Sequence, residues 1–205
     1  LNRITELKKI KKFTMGYTKS NFTILDHQFL KNEQKILFRF NKKKYYFSTK
    51  LIGSVQIKNL LMAIMAAMKS KISLEKILKI THKIKPVNGR LEKIGELYNN
   101  GIVILDYAHT PDALKTCIKN VKEQFKLRKI NLVFGCGGER DKPKRKIMGR
   151  IANRYCNKIY LTDDNPRSED PKKIRRDIKS NISKNKVLEI PSRESAIRSA
   201  ILDIK

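Results

Sequence analysis

From residue 102 onward the chain repeats one unit four times: an unbroken apolar run, a polar turn, then a helical pattern. The runs fall at 102–106, 130–134, 158–162 and 187–190. The helices follow at about 111–125, at about 143–156, after Pro171, and from Ser192 to near Ile204. A strand that alternates in polarity has one wet face, whereas a strand apolar at every position must be covered on both. Such strands alternating with helices predict an α/β domain: a Rossmann-like parallel sheet with helices on both faces. Proline at the head of three helices agrees, since its missing N–H is no loss in the first turn.

The same repeat predicts where chemistry would sit. In open parallel sheets ligands bind beyond the carboxyl ends of the strands, and here those ends hold the polar residues. The first run ends in Asp106-Tyr107-Ala108-His109, the second in Gly135-Cys136-Gly137-Gly138-Glu139-Arg140, the third in Asp163-Asp164-Asn165-Pro166-Arg167. The glycine-rich turn lacks the GxGxxG and GxxxxGK[ST] spacings, so it reads either as a weak phosphate cradle or as a tight strand-to-helix turn. Asp163 and Asp164 suit a metal or an Asx-type cap. His109 has no second histidine near it in sequence and reads as a hydrogen-bonded orienting group. Cys136 has no sequence-level base and reads as a small buried thiol before a nucleophile. Arg140 and Arg167 are more informative. Two guanidinium forks at neighbouring strand ends match an anionic or amino-acid-like substrate.

The first half reads differently. Residues 1–12 suit the tail of a helix. Runs at 22–25, 36–40 and 45–48 are β-rich, alternate in polarity and are separated by Asn/Lys turns, as antiparallel strands are. Helical patterns follow at 55–68 and 74–80. Pro86-Val87-Asn88-Gly89 then breaks the pattern and predicts two domains, 1–88 and 89–205. The longest apolar run, 60–68, is short of the roughly 20 residues that span a bilayer. No signal sequence is visible, and the three cysteines form neither a CxxC pair nor a disulfide framework. The expectation is a cytoplasmic protein with reduced thiols.

A net charge of +28 on 205 residues would ordinarily suggest nucleic acid. Yet the chain holds 34 lysines against 13 arginines and 26 isoleucines against 8 alanines, the imprint of A/T-rich codons, and its lysines are spread throughout. Such a field draws in anionic substrates without naming one, and neither nucleic acid nor a membrane is expected as partner.

Taken together, 106–114 (DYAHTPDAL), 133–142 (VFGCGGERDK) and 162–171 (TDDNPRSEDP) resemble the Mur ligases of peptidoglycan synthesis, in their diaminopimelate-adding branch. Matches at Gly53, at Asn59-Leu60-Leu61 and at 86–92 (PVNGRLE) extend the likeness from about Leu51 to the end. The resemblance implies an ATP-dependent amide ligase of three domains. ATP would phosphorylate a carboxylate, Mg²⁺ would clamp phosphate oxygens, and an amino group would attack the acyl phosphate. The implied substrates are UDP-N-acetylmuramoyl-L-alanyl-D-glutamate and meso-diaminopimelate, handled by a monomer.

By motif, Asn59, Arg90 and Asp106 would face ATP, and Arg140 would hold a carboxylate of the incoming amino acid. Asp164, Asn165, Pro166 and Arg167 would select meso-diaminopimelate, with Arg167 on its distal carboxylate and His109 in support. No residue is assigned to the metal, and the lysine that the family carbamylates would precede Leu1, so the catalytic residues stay unassigned. The sequence has no GxxGK[ST] loop, and Gln56 stands where relatives often have Asn. Hence 1–88 is expected to be the end of a P-loop-type central ATP-binding domain, and 89–205 a C-terminal domain truncated at its end. Such a chain is expected to be inactive alone. The competing readings are a stand-alone amino-acid-binding module and a basic nucleic-acid binder, the latter marked by steep salt dependence.

Overall fold

The computed structural model describes residues 12–139 and 141–204, and the chain divides into two compact units, Leu1–Lys85 and Pro86–Lys205. The helix expected over residues 1–12 lies outside the described residues, apart from Lys12.

In the first unit β2 (Phe22–Phe29), β3 (Gln34–Phe40) and β4 (Lys43–Thr49) form an antiparallel meander, with the short β1 (Met15–Gly16) parallel at its edge. Phe40 pairs with Lys43, so Asn41 and Lys42 alone make the turn, and both take positive φ, 47° and 65°. Two left-handed residues match the twist of a hairpin, which is why Asn recurs at this position. Phe22, Phe38 and Phe47 pack with Ile57, Leu60, Leu61 and Ile64 of α1 (Ser54–Lys69), whose three- and four-residue spacing makes one apolar stripe. The fully buried Gln34 donates Nε2 to the Leu51 carbonyl at 2.6 Å, tying the sheet to the turn before α1. The short α2 (Leu74–Leu78) is capped by Ser73, whose Oγ accepts the Lys76 N–H.

In the second unit β7 (Asn131–Phe134), β8 (Lys158–Leu161) and β9 (Val187–Glu189) form a parallel sheet in that order. Its helices are α3 (Pro111–Gln124), α4 (Pro143–Tyr155), α5 (Pro171–Lys179) and α6 (Arg193–Leu202). The central strand shows why its sequence is apolar throughout. Ile159 and Leu161 belong to a core with Leu114 and Ile118 of α3, Met148 and Ala152 of α4, and Ile174 and Ile178 of α5. Tyr160, between them, turns to Ala196 and Ala200 of α6. Both faces are covered, as predicted.

One expected strand is placed differently. The run at 102–106 forms β6 (Ile102–Leu105), but it pairs antiparallel with β5 (Glu92–Glu96) and not with the parallel sheet. The cause is the intervening Asn99-Asn100-Gly101, a hairpin-forming turn. There Asn100 takes φ 62° and the Leu97 N–H meets the Gly101 carbonyl at 2.7 Å. The charged EKIGE of β5 gave no apolar run to announce it. Proline does open α3, α4 and α5, and Thr110, Asp170 and Ser192 cap α3, α5 and α6 through their side chains. No described helix is long and apolar enough to cross a membrane.

Candidate functional site

The loops that follow β7 and β8 are interlocked. At Gly135 an added Cβ would sit 2.3 Å from the Thr162 carbonyl oxygen, and at Gly138 it would sit 1.9 Å from that of Pro166. Neither position has room for a side chain. The Gly138 N–H donates to the Asn165 carbonyl at 2.9 Å, and Arg167 returns Nη1 to the Gly138 carbonyl at 2.5 Å. Of the two readings open for this turn, close packing accounts for two of its glycines: they let one loop lie against the other. Arg167 itself takes φ 51° and is exposed, while its backbone N–H meets Asn165 Oδ1 at 3.3 Å.

Beneath the loops lies a residue that the sequence reading passed over. Arg145 of α4 is fully buried, with Nη2 on Glu169 Oε1 at 2.8 Å and Nη1 on both Glu169 Oε2 and Asp177 Oδ2 at 3.0 Å. Nη2 also reaches the Gly137 carbonyl at 3.4 Å. The guanidinium holds the Glu169 carboxyl down at about 2, aided by the Glu139 backbone N–H, which donates to the same carboxylate. Glu139 in turn accepts from the Ser168 hydroxyl and N–H, and these bonds lower its own carboxyl. Thus both loops are pinned to one buried cation. A signal for it was present: Arg145, Met148, Gly149 and Ala152 share one helical stripe, so Arg145 occupies a core register. Arg175 repeats the device on α5, pairing with Asp163 and with Glu189, the latter at 2.9 Å. That pairing engages the Asp163 side chain; Asp164 is exposed and lies 3.5 Å from Arg193.

A second cluster forms where β6 ends. Asp106 accepts the Leu91 N–H on one oxygen and the Ala108 N–H on the other, each at 2.9 Å. The Arg90 guanidinium stands 5.1 Å from the centre of the Tyr107 ring, which meets the His109 ring edge-on at 5.2 Å. His109 is exposed, its Nδ1 is 3.2 Å from the Tyr107 carbonyl, and Lys144 donates to its own carbonyl at 3.1 Å. So Arg90, Asp106 and His109 come together, and so do Asn165, Pro166 and Arg167 with the glycine-rich turn.

Arg140 lies outside the described residues. Asn59 is exposed on α1, in the first unit. Cys136 is buried against Met148, and burial pushes its thiol up to about 11, as suits a packing residue. Among the described residues no three His, Cys, Asp or Glu side chains gather to hold a metal ion.

The profile of the Mur ligase, glutamate ligase domain matches residues 89–205. The UDP-N-acetylmuramoyl-L-alanyl-D-glutamate–2,6-diaminopimelate ligase of Rickettsia felis is 46% identical over 174 residues, 84% of this chain and 32% of that protein. Its counterpart in Rickettsia conorii is 42% identical over 198 residues, 96% of this chain and 40% of the relative. The chain therefore spans about a third to two fifths of these relatives. A solved structure of a ligase of the same name superposes with a TM-score of 0.68 at 28% identity, covering 99% of this chain and 42% of the other. A folylpolyglutamate synthase from Thermotoga maritima shares the fold, with a TM-score of 0.75 at 20% identity over 97% of this chain and 45% of its own. With a profile that matches residues 89–205, more than half of the chain, and relatives this similar, the chain belongs to the Mur ligase family.

Proposed function

We propose that this chain is the amino-acid-receiving part of a cytoplasmic ligase that joins meso-2,6-diaminopimelate to UDP-N-acetylmuramoyl-L-alanyl-D-glutamate for peptidoglycan. The observation that supports this most is the Arg167 loop, locked in place by the glycine-rich turn and the buried Arg145. One Arg167 nitrogen is engaged by the Gly138 carbonyl, which fixes the guanidinium and leaves its other donors for a ligand. A fixed fork suits a planar carboxylate. Diaminopimelate carries a distal carboxylate that lysine lacks, so Arg167 attracts the one and repels the other's lone ammonium. Asp164 and Asn165, exposed beside it, supply acceptors for the distal amine. Arg140 is assigned the carboxylate next to the reacting amine.

The amide forms when that amine attacks the activated glutamyl carbon and phosphate leaves. ATP with Mg²⁺ supplies that activation when bound. Arg90 and Asp106 suit the nucleotide, a cation for its phosphates and a carboxylate for its hydroxyls; the Tyr107 ring lies against Arg90, and the Leu91 and Ala108 backbone N–H groups hold Asp106. Asn59, on the first unit, is assigned to ATP, and no residue of this chain to the metal. In this reading the described residues bind and orient; they perform no covalent step.

The test uses the complete enzyme. A lost charge-assisted contact is worth about 1.5–3 kcal/mol, so Arg167→Ala is expected to raise KM for diaminopimelate roughly 10- to 150-fold with a smaller change in kcat. An unchanged KM, or a wild type that prefers lysine, would overturn the assignment.

A further inference from the structure

We infer that Glu139 is a positioning residue for Arg167: it grips the turn that carries Arg167, in a backbone conformation arginine disfavours, and so aims the guanidinium. The inference rests on the substrate assignment above, since it takes Arg167 as the group that meets the ligand. Residues Pro166–Glu169 make one tight turn, in which the Glu169 N–H donates to the Pro166 carbonyl at 3.0 Å. Arg167 is the first of its two central residues and takes φ 51°. Positive φ at that place belongs to the primed turns, where glycine, asparagine and aspartate prevail. A longer side chain is disfavoured there because its Cβ crowds the following carbonyl oxygen. A corner of this kind persists only where its surroundings over-determine it, and such corners gather at ligand clamps.

Glu139 supplies the grip. The other central residue of the turn, Ser168, donates both its backbone N–H, at 3.2 Å, and its hydroxyl to Glu139 Oε1. With its own φ at 57°, Glu139 also turns its backbone N–H to the same loop, donating to Glu169 Oε1 at 2.5 Å. On the near side of the corner Asn165 Oδ1 accepts the Arg167 N–H at 3.3 Å, and Arg167 Nη1 rests on the carbonyl of Gly138, the residue before Glu139. Without the Glu139 carboxylate, Ser168 is released and the turn can unwind about Arg167, carrying the guanidinium with it. The other ties do not depend on that side chain: Arg145 on Glu169, the Gly138 N–H on the Asn165 carbonyl, and the Glu139 N–H itself. Both Glu139 and Ser168 are exposed, so cutting back either side chain opens no cavity. Those ties hold the two loops together, whereas the carboxylate fixes the shape of the turn between them.

The experiment is steady-state kinetics on the complete enzyme carrying Glu139→Ala, Glu139→Gln, Arg167→Ala, or Glu139→Ala together with Arg167→Ala. Glu139→Ala is expected to raise KM for meso-diaminopimelate roughly tenfold while KM for ATP stays within about twofold. Glu139→Gln keeps an oxygen that can accept from Ser168 and is expected to stay within about threefold of wild type. A residue that acts through Arg167 has nothing to act on once Arg167 is gone. In the Arg167→Ala background, Glu139→Ala should therefore change KM by less than about twofold. An unchanged KM in Glu139→Ala, with a raised one in Arg167→Ala, overturns the inference and leaves the substrate assignment standing. Three further results overturn it: Gln proves as damaging as Ala, which puts the Glu139 charge on the ligand; Glu139→Ala keeps its full effect without Arg167; or KM for ATP rises in step, the mark of a general loss of structure. If Arg167→Ala itself leaves KM unchanged, the substrate assignment falls and this inference falls with it.

Discussion

Replacing Gly138 by alanine adds a single methyl group, and its consequence can be worked out from the contacts around it. The new Cβ would lie 1.9 Å from the Pro166 carbonyl oxygen and 2.7 Å from its carbon, where ordinary contact begins at 3.4 Å. Both atoms are backbone, so no rotamer change relieves the clash, and the loop must move by more than 1 Å. Two outcomes bracket the cost. If the loops stay in place, overpacking costs about 1–3 kcal/mol. If they part, the Gly138–Asn165 bond and the Arg167–Gly138 bond are lost, together about 2–4 kcal/mol. The two ranges overlap at about 2–3 kcal/mol, which at a urea dependence of about 2 kcal/mol per molar lowers the midpoint by about 1–1.5 M. Amide exchange at Ile159, Tyr160 and Leu161 in a urea series reports this unit separately from the first. Gly95 is the internal control: an added Cβ meets nothing within 4 Å, so Gly95→Ala should change stability by less than about 0.5 kcal/mol. A Gly138→Ala protein no less stable than Gly95→Ala would refute the interlock.

The remaining predictions concern buried groups. Arg145→Met leaves Glu169 and Asp177 without their cation; breaking a buried pair costs about 3–5 kcal/mol, and the remaining exposure of Asp177 places this case near 3 kcal/mol, readable in the same urea series. The Glu169 carboxyl falls from 4.5 to about 2 on folding, so its contribution is complete above about pH 4.5 and is lost as pH drops through 2. Wild type and Glu169→Gln should therefore differ most above pH 4.5, and their melting temperatures should converge by pH 2; a gap that widens on acidification would show the opposite linkage. Burial raises Cys117 and Cys156 to about 12 and Cys136 to about 11. Iodoacetamide at pH 8 should label all three far more slowly in the native protein than in urea, and fast labelling of Cys136 would mark it as a reactive thiol.

The parts of the fold legible in sequence were those where periodicity and burial coincide. The runs behind β7, β8 and β9 are apolar because helices cover both faces, and the prolines heading α3, α4 and α5 stand where a helix tolerates them. β5 was illegible because EKIGE sits half exposed in a hairpin and needs no apolar run. At the site, the ends of β7 and β8 pointed to the glycine-rich turn and the Arg167 loop, since adjacent parallel strands deliver their loops to one rim, whereas Asp106 follows a hairpin strand outside that sheet. Arg145 and Arg175 were missed because a cation among KRK or IRR is read as a solvated face. Their burial depends on Glu169, Asp177, Asp163 and Glu189, partners that come together in three dimensions.

The close fit of Gly135 and Gly138 against Thr162 and Pro166 has a bearing on engineering. Because the two connections have no slack between them, neither can be exchanged by itself. A chimera meant to alter what these loops present would have to carry 135–139 and 162–169 as a matched cassette, with Arg145 retained beneath. Transplanting the arginine-bearing segment alone would import a shape with nothing to seat it.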